Sequence, residues 1–226
     1  MASVSQLPDR SLGVFTSVAV RQGEPVLLER HLLRLERSCQ ELYQQSLPLS
    51  VESQVLALTK TMSDTDRLRI EAVPSGSELV VRMKAAPRPG GSEPIELDII
   101  VAPWWNCGHK WIDRSNLPSS RTLFVDDHGY VLETDISNVF AVFDGEVVTP
   151  PLDGRVLPGI GRSLLLDIRP VREAPLALEQ FLQADEAFAT NALRGVVPIA
   201  RCGATVWPSV GATTAELMTT WEANVR

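Results

Sequence analysis

Gly129-Tyr130-Val131-Leu132-Glu133-Thr134-Asp135-Ile136-Ser137-Asn138-Val139-Phe140 runs from a turn through an apolar strand to a carboxylate, then into a second apolar strand. Working outward, Asp126-Asp127-His128-Gly129 links Thr122–Val125 to Tyr130–Glu133. Asp144-Gly145 links Val139–Phe143 to Glu146–Val148, and both links carry hairpin chemistry. Leu157-Pro158-Gly159-Ile160-Gly161 then precedes an apolar run, Leu164–Ile168, that opens a helix. A helix is predicted over Pro175–Leu182, strands over Glu186–Asn191 and Gly195–Arg201, and a last helix over Thr213–Ala223.

On the N-terminal side the alternation is different. Residues 12–20, LGVFTSVAV, read as a strand, Gln22-Gly23-Glu24-Pro25 as a turn, and Pro25–Leu28 as a short return strand. From Glu29 to Gln45 the apolar period lengthens, with Leu32, Leu35, Cys39 and Leu42 on one stripe of an amphipathic helix. A second helix is predicted over Val51–Met62, followed by strands at Leu68–Val73, Glu78–Lys84 and Ile95–Ala102. Pro103–His109 breaks this pattern. The expected organisation is α+β in two domains, a small α/β domain over 1–102 and a larger, strand-rich domain over 103–226.

Hydrophobic residues make up 44% of the 226 and charged residues 22%, enough to build a core without staples. The net charge of −7 argues against nucleic acid and anionic membranes as partners, though a few arginines in one cleft still suit a small anionic substrate. MASVSQLPDR offers no apolar signal core, and no run approaches the roughly 18 apolar residues of a membrane span. Cys39, Cys107 and Cys202 are odd in number and form no CxxC pair, so reduced thiols and a cytoplasmic location are expected. No metal site is expected: Cys107 and His109 lack a second pair at ligand spacing.

Four positions carry candidate chemistry. Lys110, in Cys107-Gly108-His109-Lys110, is by itself a surface charge. In an aromatic and glycine-containing interdomain stretch it becomes an amine able to lose its proton and attack a carbonyl. Glu133 is either a strand-end carboxylate facing water or a buried acid that keeps a ring nitrogen protonated. Leu157-Pro158-Gly159-Ile160-Gly161-Arg162 before a helix suits an anion, because glycine permits close approach and the helix start offers free N–H groups, although many loops end this way. Arg34 is either a solvent-facing helix residue or a phosphate partner.

These pieces resemble, in order, the class-IV pyridoxal 5′-phosphate (PLP) enzymes of fold type IV, which include branched-chain and D-amino acid aminotransferases and aminodeoxychorismate lyases. The resemblance rests on Gly13-Val14-Phe15-Thr16-Ser17 with Leu28–Leu35, on His109-Lys110 with Arg114, on Gly129–Phe140 continuing through Asp144-Gly145 to LPGIGR, and on Phe188–Gly195. Phe15-Thr16-Ser17 and Asn191-Ala192-Leu193 look more like the lyase than like the aminotransferases. The resemblance implies a two-domain fold whose larger domain is a pseudo-barrel, with PLP as cofactor. Lys110 matches the lysine that carries the cofactor and Glu133 the partner of its pyridine nitrogen. Arg34, Ile160, Gly161 and Asn191 or Ala192 match phosphate-binding positions. Arg114 and Arg194, with Arg82 behind them, are expected to meet substrate carboxylates, and Thr16 to orient a proton or a substrate hydroxyl. The implied reaction turns 4-amino-4-deoxychorismate into 4-aminobenzoate and pyruvate for folate synthesis, in a homodimer that works alone or beside an aminodeoxychorismate synthase. Two alternatives accompany it: transamination of branched-chain or D-amino acids, and a non-catalytic relative.

Overall fold

The computed structural model describes residues 8–91, 93–102, 108–115, 117–118 and 121–225. The chain divides into two compact units: Met1–Pro89 with His109–Asn116 and the last two residues, and Gly90–Gly108 with Leu117–Asn224. This differs from a single break at Pro103, which itself lies outside the described residues. Ile95–Val101, expected in the first domain, belongs to the second sheet, and the segment around Lys110 returns to the first unit.

The first unit is a four-stranded antiparallel sheet, β1 (Val14–Arg21), β2 (Glu24–Pro25), β3 (Asp66–Ser75) and β4 (Glu78–Pro87), in the order β2-β1-β3-β4. The expected return strand at Pro25–Leu28 is cut short because α1 (Leu28–Tyr43) begins there, after Leu27 in a left-handed conformation (φ 55). The buried stripe of α1 is His31, Leu35, Ser38 and Cys39 together with Leu28, at helical spacing. It packs with α2 (Val51–Thr59) onto one face of the sheet, around Val14, Val18, Leu68, Ile70 and Ala72. Phe15, Ser17 and Ala19 alternate onto the other face.

The second unit curls a nine-stranded sheet in the order β10-β9-β8-β11-β12-β5-β6-β7, with β13 (Thr205–Val206) on β12. Its strands are β5 (Ile95–Val101), β6 (Thr122–Val125), β7 (Val131–Thr134), β8 (Asn138–Phe143), β9 (Glu146–Thr149), β10 (Val171–Glu173), β11 (Glu186–Asn191) and β12 (Gly195–Cys202). A short link between β7 and β8, closed by the Thr134 N–H donating to the Ser137 carbonyl at 2.8 Å, brings the end of the sheet back beside β8. Asp144 and Gly145 take φ values of 48° and 82°, the paired positive φ of a tight hairpin turn between β8 and β9. β9 and β10 are parallel, so the helix between them, α3 (Ile160–Ile168), is a crossover. β10 has no counterpart in the sequence reading, because three residues are too few to show a period. The buried Arg162 of α3 donates to Glu173 in β10 at 2.5 Å and to the Pro150 carbonyl at 3.1 Å, which ties the first helical turn to the strand ends. The shorter helix α4 (Leu178–Leu182) and α5 (Ala212–Asn224) complete the unit.

The core of this unit gathers Leu97, Leu123, Val139, Phe181, Val197 and Ile199 among others. Phe181 is fully buried and meets Trp207 edge to face at 5.9 Å. Phe181→Ala is expected to cost about 3–5 kcal/mol of folding stability, read as a lower urea midpoint at unchanged slope.

Candidate functional site

In the first unit, the segment carrying Lys110 lies along β1 as an irregular extra strand. Phe15 N–H donates to the Lys110 carbonyl at 2.8 Å, Ile112 N–H donates to the Gly13 carbonyl at 3.0 Å, and Trp111 pairs with Val14. Alternation then sorts the side chains. Trp111 is buried in the α1-facing core, and His109 sits beside it at 5.5 Å with its Nδ1 3.1 Å from Ser38 Oγ. Lys110 falls on the opposite face, its Nζ 5.2 Å from the centre of the Phe15 ring.

That second face carries more charge than the sequence reading supplied. Cross-strand register aligns Phe15 with Glu71, Ser17 with Arg69, Arg69 with Lys84, and Glu71 with Arg82. Arg69 lies over the Phe15 ring at 3.6 Å and donates to Glu71 at 2.6 Å. Burial works to raise the Glu71 carboxyl, but the Arg69 and Lys84 charges beside it outweigh this and leave it below the ordinary carboxylate range. Arg69 was passed over because a strand of alternating charges, Asp66 to Glu71, reads as a solvated edge until its partner strand is known. Ser17 is buried with no hydrogen-bond partner for Oγ among the described residues.

Thr16 points the other way, toward α1. Its hydroxyl, fully buried, lies 2.6 Å from His31 Nδ1 and accepts from Arg34 at 3.0 Å. The hydroxyl thus accepts from the guanidinium and shares a second hydrogen bond with His31 Nδ1. Burial, then the charges of Arg34 and Lys110, holds the His31 pKa well below 6.5. Thr16 thus holds His31 and Arg34 together.

The second unit holds the other candidates. Glu133, in β7, is 3% exposed. Its Oε2 accepts the Leu157 N–H at 3.2 Å and the Asn138 side-chain amide at 3.2 Å, while that amide also donates to the Leu157 carbonyl at 2.9 Å. Just beyond Leu157, Ile160 and Gly161 open α3, whose start has no side-chain cap. A Cβ at Gly161 would collide with Thr190 Oγ1 and come within 3.3 Å of the Asn191 backbone, so this turn lies flush against the end of β11. Asn191 donates to Ser137 Oγ at 2.9 Å, and its Oδ1 accepts the N–H groups of Leu193 and Arg194, which fixes the turn containing Ala192.

Of the arginines expected at a substrate, Arg82 and Arg114 belong to the first unit and Arg194 to the second. Arg82 is exposed on the Phe15 face, and Arg114 is half-buried in the segment that follows Lys110. Arg194 is bonded to the carbonyls of Gly91 at 2.8 Å and Glu93 at 3.3 Å, so it staples that segment to β12. Cys39 and Cys202 are free and buried, and burial pushes both thiols up to about 12. Cys107 lies outside the described residues. Among the described residues no cluster of His, Cys, Asp and Glu could hold a metal ion, and no helix is long and apolar enough to cross a membrane.

The family model described as Amino-transferase class IV matches residues 13–202. The chain belongs to that family. Class-IV aminotransferases and their relatives are PLP-dependent. Among solved structures, the chain is similar to 4-amino-4-deoxychorismate lyase from Pseudomonas aeruginosa, with a TM-score of 0.75 and 26% identity over 94% of this chain and 91% of that one. It shares its fold with a hypothetical aminotransferase from Mycobacterium tuberculosis in its PLP-bound form, with a TM-score of 0.83 and 18% identity over 96% and 89%. The branched-chain-amino-acid aminotransferase of Escherichia coli is 34% identical over 80 residues, 33% of this chain and 26% of that enzyme's length. The two-domain fold-type-IV architecture expected from the sequence is thus present.

The neutral state of His31 has a pH signature. Its folded pKa lies below its unfolded value, so the unfolded chain takes up the proton first and stability falls as pH drops below about 6.5, levelling out once the folded pKa is passed. His31→Asn, which keeps an acceptor near the Thr16 hydroxyl, is expected to lose less stability than the parent between about pH 7.5 and pH 5.5. Urea unfolding at the two pH values measures the difference.

Proposed function

We propose that this chain binds PLP through Lys110 and converts 4-amino-4-deoxychorismate to 4-aminobenzoate and pyruvate. The observation that carries the cofactor reading is the loop from Leu157 to Gly161. One end fixes a buried carboxylate at Glu133 and the other opens a tight, uncapped helix start against Thr190. A pyridinium ring with a phosphate arm asks for an acid at one end and an anion cradle at the other, and the residues present fit both. Arg34, held by Thr16, supplies a cation for the phosphate.

PLP, when bound, withdraws electrons from the substrate carbon that bears nitrogen. Lys110 holds the cofactor and, as a free amine, takes the proton from that carbon at Nζ. Glu133 would face the ring nitrogen and favour its protonated form. Arg69, Arg82 and Lys84, beside the acid Glu71, favour a substrate with two carboxylates on the Phe15 face. Arg114 adds to them in this reading, whereas Arg194 acts by holding the 91–93 segment. Loss of the enolpyruvyl group as pyruvate leaves an aromatic ring. Likeness to the Pseudomonas lyase over 94% of the chain supports this reaction. A homodimer in the cytoplasm, alone or supplied by an aminodeoxychorismate synthase, goes with the same reading. Transamination is the second reading, favoured by the higher identity to branched-chain aminotransferases over 33% of the chain.

Purified protein incubated with PLP is expected to show a visible band that borohydride bleaches and that Lys110→Ala lacks. With 4-amino-4-deoxychorismate it should release 4-aminobenzoate and pyruvate, and Glu133→Gln should slow this by about 10²–10³-fold. Glutamate formed from a branched-chain amino acid and 2-oxoglutarate, with no aromatic product, would replace the lyase by the aminotransferase. A colourless protein would sink both.

A further inference from the structure

The first turn of α3 faces a buried hydroxyl that no role given above uses. Thr190 in β11 is 1% exposed, and its Oγ1 has no hydrogen-bond partner among the described residues. It points at Gly161, where a Cβ would collide with that oxygen. Strand register explains the aim. Thr190 pairs with Asn138 across β11 and β8, so the two side chains stand on one face of the sheet. Asn138 reaches the near end of the loop, through the Leu157 carbonyl and against Gly159. Thr190 reaches the far end, where the first helical N–H groups have no intrahelical acceptor. A buried hydroxyl without a partner marks a bond made to something else. An anion at this helix start would meet both the backbone donors and the hydroxyl.

We propose that Thr190 Oγ1–H donates to the phosphate of the cofactor and stands in for the side chain that position 161 lacks. Glycine at 161 is then required because the threonine occupies its side-chain space from the strand side. This rests on the PLP reading above, and the test separates the two.

Apoprotein is titrated with PLP and with pyridoxal, which has the ring and aldehyde but no phosphate, and binding is followed by absorbance. Thr190→Val keeps the shape and removes the donor. It should weaken PLP about ten- to a hundredfold, leave pyridoxal affinity unchanged, and leave the apoprotein melting temperature level or raised, since an unpaired buried hydroxyl has gone. Thr190→Ser should bind PLP like the parent, and Thr190→Ala replaces the valine variant if that one does not fold. Unchanged PLP affinity, or an equal loss for PLP and pyridoxal, overturns the proposal. If the parent takes up no PLP, the cofactor reading fails by itself and inorganic phosphate tests the hydroxyl alone. Phosphate that protects the parent but not Thr190→Val against heat supports the anion site, and phosphate without effect on the parent overturns it.

Discussion

A buried carboxylate organises the second unit. Glu133 leaves water at the end of β7, and burying an ion is costly unless hydrogen bonds compensate. The backbone N–H of Leu157 and the amide of Asn138 contribute to that compensation. Leu157 lies on the route into α3 and Asn138 opens β8, so the bonds that satisfy the acid also place the loop against the sheet. Asn138 joins the two by donating to the Leu157 carbonyl as well. Position along the loop, from acid to helix start, is therefore set by the sheet rather than by the loop's own conformation.

The first unit uses the same device with a different residue set. Thr16, His31 and Arg34 come from β1 and α1 and meet in a hydrogen-bonded knot. The hydroxyl accepts from the arginine and bonds the histidine, whose burial disfavours its charged form. Such a knot orients Arg34 through a side chain of the strand. The opposite face of the sheet gathers Arg69, Arg82, Lys84 and Lys110 about Glu71 and the Phe15 ring.

Much of this was legible in the sequence. The helix α1, the strands from β6 to β9 and the glycine turns followed from periodicity and turn chemistry, because those signals are local. The family and its fold were legible because separate blocks recurred in order. What was not legible depended on partners distant in the chain. β5 looked like the last strand of the first sheet, since nothing in Ile95–Val101 reveals that β12 and β6 flank it. Thr16 was a candidate and Arg69 was not, and only the pleat of β1 and β3 shows that the two side chains face opposite ways. Gly161 read as a glycine that lets an anion approach, whereas the space beside it is occupied by Thr190.

The pairing of the Lys110 segment with β1 has a consequence for chain length. Trp111 and His109 are sunk toward α1 and Lys110 is turned outward only because the three residues alternate along a strand-like backbone. Slipping this segment by a single residue would bury the amine under the helix and expose the indole. An insertion or deletion between Gly108 and Trp111 is thus far less tolerable than one in a free connection of the same length, although the segment has no regular secondary structure to advertise the fact.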